Sequence, residues 1–183
     1  MDKQLKKLST VMLWIIRLLM ILLPLMDILV WLFPHNQFSL NAVIAPALSD
    51  HFNDKTFASL QINNQLLGMS GSLVALLPLW LGFLWLARLF KNYAQGTIFT
   101  LDNARIYGKL GWLCIISALI IQPLTDSLYS VAATINNPPG QRIIAFGFSN
   151  TNFTAIICGI FLIIMARVMV IGHYINEEQQ LTI

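Results

Sequence analysis

Charge is what this chain has least of. Only 10% of its 183 residues are Asp, Glu, Lys or Arg, against about a quarter in ordinary soluble domains. So little charge cannot cover a water-exposed surface, which excludes a soluble globular protein wherever the apolar residues run together. Cysteine is nearly absent, with Cys114 and Cys158 alone. Both fall deep in apolar runs, where cysteine is usually a small packing residue, so no structural disulfide is expected, and no CxxC pair exists. His35, His51 and His173 are scattered, with no HExxH and no carboxylate cluster around them, which argues against a metal site. A nucleophile elbow, a Walker lysine loop and a Rossmann glycine pattern are all missing. The expectation is a protein that is not an enzyme and holds no cofactor or metal.

Hydrophobic residues make up 57% of the chain, gathered in four runs. A spanning helix needs about 20 mostly apolar residues at ~1.5 Å rise each. The runs at about 11–33, 71–90, 110–131 and 153–171 meet that length. Backbone groups in hydrocarbon must pair internally, so each run is a helix. The predicted fold class is all-α: one domain, residues 1–183, forming a polytopic four-transmembrane-helix bundle. Its outer loops lie at about 34–70 and 132–152. The first run starts basic, like a signal peptide, but its body exceeds the roughly 7–15 residues of a signal core. Trp31, Phe33 and Pro34 stand where a small-residue cleavage site belongs, and the run is read as a retained span.

The few basic residues set an orientation. Lys3, Lys6 and Lys7 precede the first span, and Arg88, Lys91, Arg105 and Lys109 flank the loop between spans two and three. The other two loops carry only Lys55 and Arg142. Basic residues near span ends are retained in the cytoplasm, which predicts both termini and the middle loop on that side. The net charge of +3 is accounted for by topology and by attraction to anionic headgroups. No nucleic-acid-binding motif accompanies it, so direct nucleic-acid binding is not expected.

The first outer loop carries Phe38, Leu40, Val43, Ile44, Leu48 and Phe52 among polar residues. Ser39–Phe52 is compatible with a short amphipathic helix on the membrane surface, so the loop is predicted to be partly helical. In the second outer loop, Asn136-Asn137-Pro138-Pro139-Gly140 is a turn signal. Asn152-Phe153-Thr154 fits a glycosylation sequon at the edge of span four.

The middle loop reads as a rigid elbow. Gly96 suits the left-handed residue that closes a helix. Thr100 suits the N-cap of the next helix, with Asp102 in its first turn against the positive end of the dipole. The stretch Gly96-Thr97-Ile98-Phe99-Thr100-Leu101-Asp102-Asn103-Ala104-Arg105, followed by Leu110-Gly111-Trp112, resembles a bacterial membrane family catalogued as domain of unknown function 2975. So does the ending Glu177-Glu178-Gln179-Gln180-Leu181-Thr182-Ile183. The resemblance extends in layout over nearly the whole chain, with four spans and both ends inside. It implies a small multi-pass protein of the bacterial inner membrane, and a cytoplasmic partner such as a helix-turn-helix regulator. No enzymatic activity comes with it.

Ionisable residues inside spans are costly and therefore informative. Arg17 lies ~9 Å into span one from the predicted cytoplasmic side, and Arg167 lies at a similar depth in span four. Asp27 and Asp126 sit near the outer ends of spans one and three. Two readings stand for them. In one, the acids face each other and share a proton or a cation. In the other, the arginines snorkel to the headgroups and the acids reach interfacial water. Pro24, Pro78 and Pro123 lie inside three spans and can kink them. Gly68, Ser70, Gly71 and Ser72 open span two with small residues that favour close helix approach. The five tryptophans are read mainly as interface anchors.

Two functions follow as expectations. The first is a non-enzymatic membrane protein that senses or scaffolds. Its partner surface would be Gly96, Phe99, Thr100, Asp102, Asn103 and Arg105 of the elbow, with Glu177 and Glu178 of the tail. The second is a homo-oligomeric channel or proton or cation transporter that uses Asp27 and Asp126.

Overall fold

The hydrophobic runs fold as helical stretches, each longer than the apolar run within it. The structure is a computed structural model, and it describes residues 3–32, 62–142, 144–147 and 150–181. Helix α1 covers Lys3–Leu32 and α2 covers Ile62–Gln95. Helix α3, Leu101–Ile116, passes through a π-helical turn, Ser117–Ile121, into α4, Gln122–Thr134. Helix α5 covers Asn150–Leu181. The stretches Lys3–Leu29, Ile62–Gln95, Leu101–Thr134 and Thr151–Glu178 are long and apolar enough to cross a membrane. The chain is thus an all-α, multi-pass membrane protein with no strand among the described residues. The N-terminal bound of α2 moves residues 62–70 out of the first outer loop and into a helix. The surface helix predicted at 39–52 lies outside the described residues.

The chain divides into two compact units, to both of which α1 and α2 contribute. One comprises Met1–Ile21, Pro78–Ala118 and Asn150–Ile183; the other comprises Leu22–Leu77 and Leu119–Ser149. In the first, Leu89, Ile106 and Leu110 form a small apolar nucleus, with Trp85, Tyr93, Tyr107 and Leu162 packed against it. Helix α3 packs along α5, and Gly111 of one faces Gly159 of the other. A Cβ added at Gly111 would lie 2.6 Å from the Gly159 carbonyl oxygen, and one added at Gly159 would lie 2.7 Å from that of Gly111. Without side chains at these two positions the backbones meet directly, which gains dispersion contact in a medium that offers no hydrophobic drive.

Polar side chains share the buried positions with apolar ones, while many large apolar side chains face outward. The largest fully buried side chains are Asn103, Asn152, Thr134, Ser9 and Ser130. Leu18, Ile21, Leu77, Ile157 and Phe161 are exposed. Lipid is as apolar as leucine, so leucine gains nothing by turning inward. An unpaired backbone group costs several kcal/mol in hydrocarbon, so side chains that can pair one are drawn inside.

Two prolines show how this works. Pro24 has no N–H and cannot bond the carbonyl four residues back, that of Met20. The Trp80 indole N–H donates to that carbonyl instead, at 3.0 Å. In the π-helical turn the pairing shifts to i+5, and the residue five beyond Ala118 is Pro123. Asn152, buried in α5, donates its Nδ2 to the Ala118 carbonyl at 2.7 Å. The sequon asparagine is therefore an interior hydrogen-bonding residue. The kink expected at Pro123 takes the form of this π-helical turn.

Gly111→Ala is expected to lower the thermal unfolding midpoint in mild detergent, with a cost of about 1–3 kcal/mol from overpacking. Gly108→Ala, whose added Cβ meets only the Ala166 methyl at 3.9 Å, is expected to leave the midpoint unchanged or raise it through better helix propensity. Equal effects at the two positions would contradict the glycine contact.

Candidate functional site

The elbow is built around one buried amide. Helix α2 ends at Gln95, and Gly96 follows with φ 88, a left-handed conformation that suits glycine. The Thr97 N–H and hydroxyl both donate to the Asn92 carbonyl, at 3.1 and 3.0 Å. Thr100 caps α3, its side chain accepting the Asn103 N–H at 3.3 Å, and Asp102 sits in the first turn. Thr97 and Ile98 lie between the helices, and the Ile98 carbonyl accepts the Thr100 N–H at 3.1 Å. The Asn103 Nδ2 donates to the carbonyls of both residues, at 2.7 Å each. Its Oδ1 accepts from the Asn92 Nδ2 at 2.7 Å, so the whole amide is satisfied while 0% of the residue is exposed. Asn103 holds the elbow together from within and does not belong to an outward-facing surface. Its inward direction is set by the turn, which its residue type alone does not reveal.

Two further links brace the elbow. Arg88 of α2 grips Asp102 with two hydrogen bonds, Nη2 to Oδ1 at 3.0 Å and Nε to Oδ2 at 3.2 Å. The Tyr93 and Tyr107 hydroxyls meet at 2.9 Å. Phe99 lies against α5, where a Cβ on Gly172 would fall 2.8 Å from its ring. His173 Nδ1 lies 3.2 Å from the Phe99 carbonyl, and its Nε2 lies 3.3 Å from the Glu177 carboxylate. Because α5 continues to Leu181, Glu177 and Glu178 belong to a helix and not to a loose tail. The elbow and the tail residue Glu177 are joined through His173, a residue the sequence reading left unassigned. Arg105 and Arg167 are exposed. So is Arg17, with its guanidinium 5.7 Å from the centre of the Trp14 ring.

A second polar cluster surrounds Asp27. The Ser72 hydroxyl donates to Asp27 Oδ2 at 2.9 Å, and the Trp31 indole N–H donates to the same hydroxyl oxygen at 3.0 Å. Trp31 is only 6% exposed, and its ring rests on Gly68, where a Cβ would overlap it. It is an interior residue, not an interface anchor, and Gly68 leaves the space its ring occupies. On the same helix Gly71 faces Tyr129, whose ring carbons lie 3.0–3.1 Å from where a Cβ would stand. Tyr129 is within electrostatic reach of both Asp27 and Asp126.

The remaining buried polar groups of this unit tie its irregular ends to the helices. Asn64 Nδ2 donates to the Ala132 carbonyl at 2.7 Å, one of those left open at the end of α4, and Asn136 donates to Asn64. Ser130 accepts the Ala145 N–H at 2.9 Å, and Ser127 Oγ lies 3.1 Å from the Ala145 carbonyl. The turn signal at Asn136–Gly140 is realised with Gly140 at φ 92. Cys114 and Cys158 are free, and Cys158 is exposed where burial was expected. Among the described residues no three His, Cys, Asp or Glu side chains gather as metal ligands.

Asn103→Ala is expected to orphan the Thr97 carbonyl and leave that of Ile98 with the Thr100 N–H alone, at a cost on the order of 1–3 kcal/mol. Hydrogen–deuterium exchange should rise in residues 96–105 and stay unchanged in α1. For the second cluster, Trp31→Phe and Ser72→Ala should each lower the unfolding midpoint, and the double variant should lose less than the sum. Members of one hydrogen-bond network couple by about 0.5–3 kcal/mol, so strictly additive losses would dissolve the network.

Comparison with known proteins places the chain. Residues 48–183 match the family described as a protein of unknown function, DUF2975. The match includes the elbow, Asp126 and α5, and leaves α1 with Arg17 and Asp27 outside it. Among curated proteins and solved structures nothing matches the chain. With well over half its length matched, the chain belongs to the DUF2975 family.

Proposed function

We propose that this protein is a non-enzymatic scaffold or sensor of the bacterial inner membrane that presents a fixed cytoplasmic surface to a soluble partner. The observation that carries the reading is the construction of the elbow. A loop that merely joins two spans needs no buried asparagine donating to two carbonyls, no bidentate Arg88–Asp102 clamp and no docking onto α5. This bracing supports a role in which shape is recognised, since a preformed surface loses little entropy on binding. The distribution of Lys and Arg supports the orientation, with both termini and the elbow inside. The exposed residues Phe99, Arg105, Glu177 and Glu178 are the contact candidates. A basic helix-turn-helix regulator is the partner class that the acidic helix end and the family resemblance favour.

A second reading rests on the Asp27 cluster. A carboxylate hydrogen-bonded inside the chain, with a tyrosine within electrostatic reach of it and of a second acid, is an arrangement that can hold or pass a proton. Four spans enclose little volume, so conduction in this reading requires a homo-oligomer.

The two readings separate in one comparison. Full-length protein in nanodiscs should bind a helix-turn-helix regulator recovered with it from its host, and Arg105→Glu with Glu178→Lys should weaken that binding at least about tenfold through reversed rim charges. Under this reading liposomes holding the wild-type protein show no more proton or cation flux than empty ones. Flux that disappears with Asp27→Asn or Asp126→Asn, together with regulator binding that ignores the charge reversal, would overturn the scaffold in favour of the channel.

A further inference from the structure

Between α1 and α2, in the unit that also holds the elbow, lies a cleft of about 460 Å³. Its polar wall consists of Arg17 from α1 and Arg88, Lys91, Asn92 and Gln95 from α2. The α2 residues follow the i, i+3, i+4, i+7 spacing of a single helix face, and all point into one space with Arg17. Leu13 and Ala87 complete the lining, and no carboxylate is part of it.

The three cations stand in different states. Arg88 is held by Asp102 through its Nε and one Nη2 hydrogen, which fixes the guanidinium plane and leaves three of its five N–H donors unused by that pair. Arg17 lies near the Trp14 ring, a cation–π contact that leaves its in-plane N–H donors available. Among the described residues neither Arg17 nor Lys91 forms an ion pair. Two cations that form no ion pair among the described residues and a third already oriented line one polar cleft, which is costly near hydrocarbon unless an anion answers them. Arginine's planar fork suits a tetrahedral oxyanion, and lysine supplies a point charge beside it.

We propose that this cleft binds a phosphate group, held by Arg17 and Lys91 and steadied by the fixed Arg88. The surroundings favour the phosphodiester of an anionic phospholipid as its source. Next to Arg17, Trp14 and Leu18 are exposed apolar side chains, and with Leu13 in the lining they give acyl chains a surface beside the headgroup. Basic pockets between membrane helices take acidic headgroups in this manner. This inference does not rest on the scaffold reading: it shares the Arg88–Asp102 clamp with the elbow, but the cations it tests, Arg17 and Lys91, lie outside the proposed partner surface.

The test uses the full-length chain in mild detergent with native mass spectrometry. Phosphatidylglycerol and phosphatidylcholine are titrated separately, and inorganic phosphate is titrated by calorimetry. Wild-type protein should retain phosphatidylglycerol in preference to phosphatidylcholine. Arg17→Gln with Lys91→Gln should weaken that binding at least about tenfold, the size expected for removing two cations near a headgroup. Arg105→Gln with Arg167→Gln removes the same charge elsewhere and should leave binding within about twofold, while the charge-conserving pair Arg17→Lys with Lys91→Arg should retain the preference and show that the cleft remains folded. Saturable phosphatidylglycerol binding that millimolar phosphate does not displace assigns the site to lipid. Calorimetric binding of phosphate that is lost in Arg17→Gln with Lys91→Gln, with no headgroup preference, assigns it to a free phosphate. Equal loss in both Gln pairs, or binding of neither ligand, overturns the proposal.

Discussion

Backbone carbonyls that lose their helical partner must be paired again from elsewhere, and this requirement organises the interior of the protein. In water a stray carbonyl finds solvent; in hydrocarbon it finds nothing and costs several kcal/mol. The chain creates such carbonyls wherever a helix is interrupted. Pro24 frees that of Met20, the π-helical turn before Pro123 frees that of Ala118, the end of α4 frees that of Ala132, and the elbow frees that of Thr97. Each accepts a side-chain N–H from another turn or helix: Trp80, Asn152, Asn64 and Asn103. These donors tie successive elements together more specifically than apolar contact can, because a hydrogen bond has one geometry and dispersion has many.

The same requirement explains why the elbow is the most structured connection described. It lies at the end of two long helices, and the carbonyls of Thr97 and Ile98 converge on one asparagine. Once Asn103 is turned inward, Thr100 and Asp102 fall into the first turn of α3, and Asp102 comes within reach of Arg88. The outward surface, with Phe99 set against Gly172 and His173 joined to Glu177, is held in one shape by that inward repair together with the contacts to α5. Arg88 belongs to both features, bracing the elbow on one edge of its guanidinium and lining the basic cleft with the other.

Much of this was legible in the sequence. The four apolar runs marked the spans, since length and hydrophobicity decide whether a helix can cross a membrane. Gly96 and Thr100 marked the elbow, since positive φ and N-capping depend on residue type. The inward faces were not legible. A helix surrounded by lipid is apolar nearly all round, so the period that reveals the buried face of a soluble helix is weak. Trp31 therefore passed for an interface anchor, Asn152 for a surface sequon residue and Asn103 for part of a partner surface. Gly159 and Gly172 carried no signal at all, because a glycine's close contact depends on which residue lies opposite. The prolines were visible, but not which side chain would answer each.

The most direct test of this account asks whether a donor matters only because a proline is present. Thermal unfolding in mild detergent would be followed for Trp80→Phe in two backgrounds, wild type and Pro24→Ala. With Pro24 in place, loss of the indole N–H orphans the Met20 carbonyl, and a cost of about 1–3 kcal/mol is predicted. In the Pro24→Ala background, residue 24 supplies its own N–H to that carbonyl, and the cost of Trp80→Phe should fall to a few tenths of that value. An equal loss in both backgrounds would mean that Trp80 acts by packing alone, and would contradict the claim that repair of open carbonyls organises the fold.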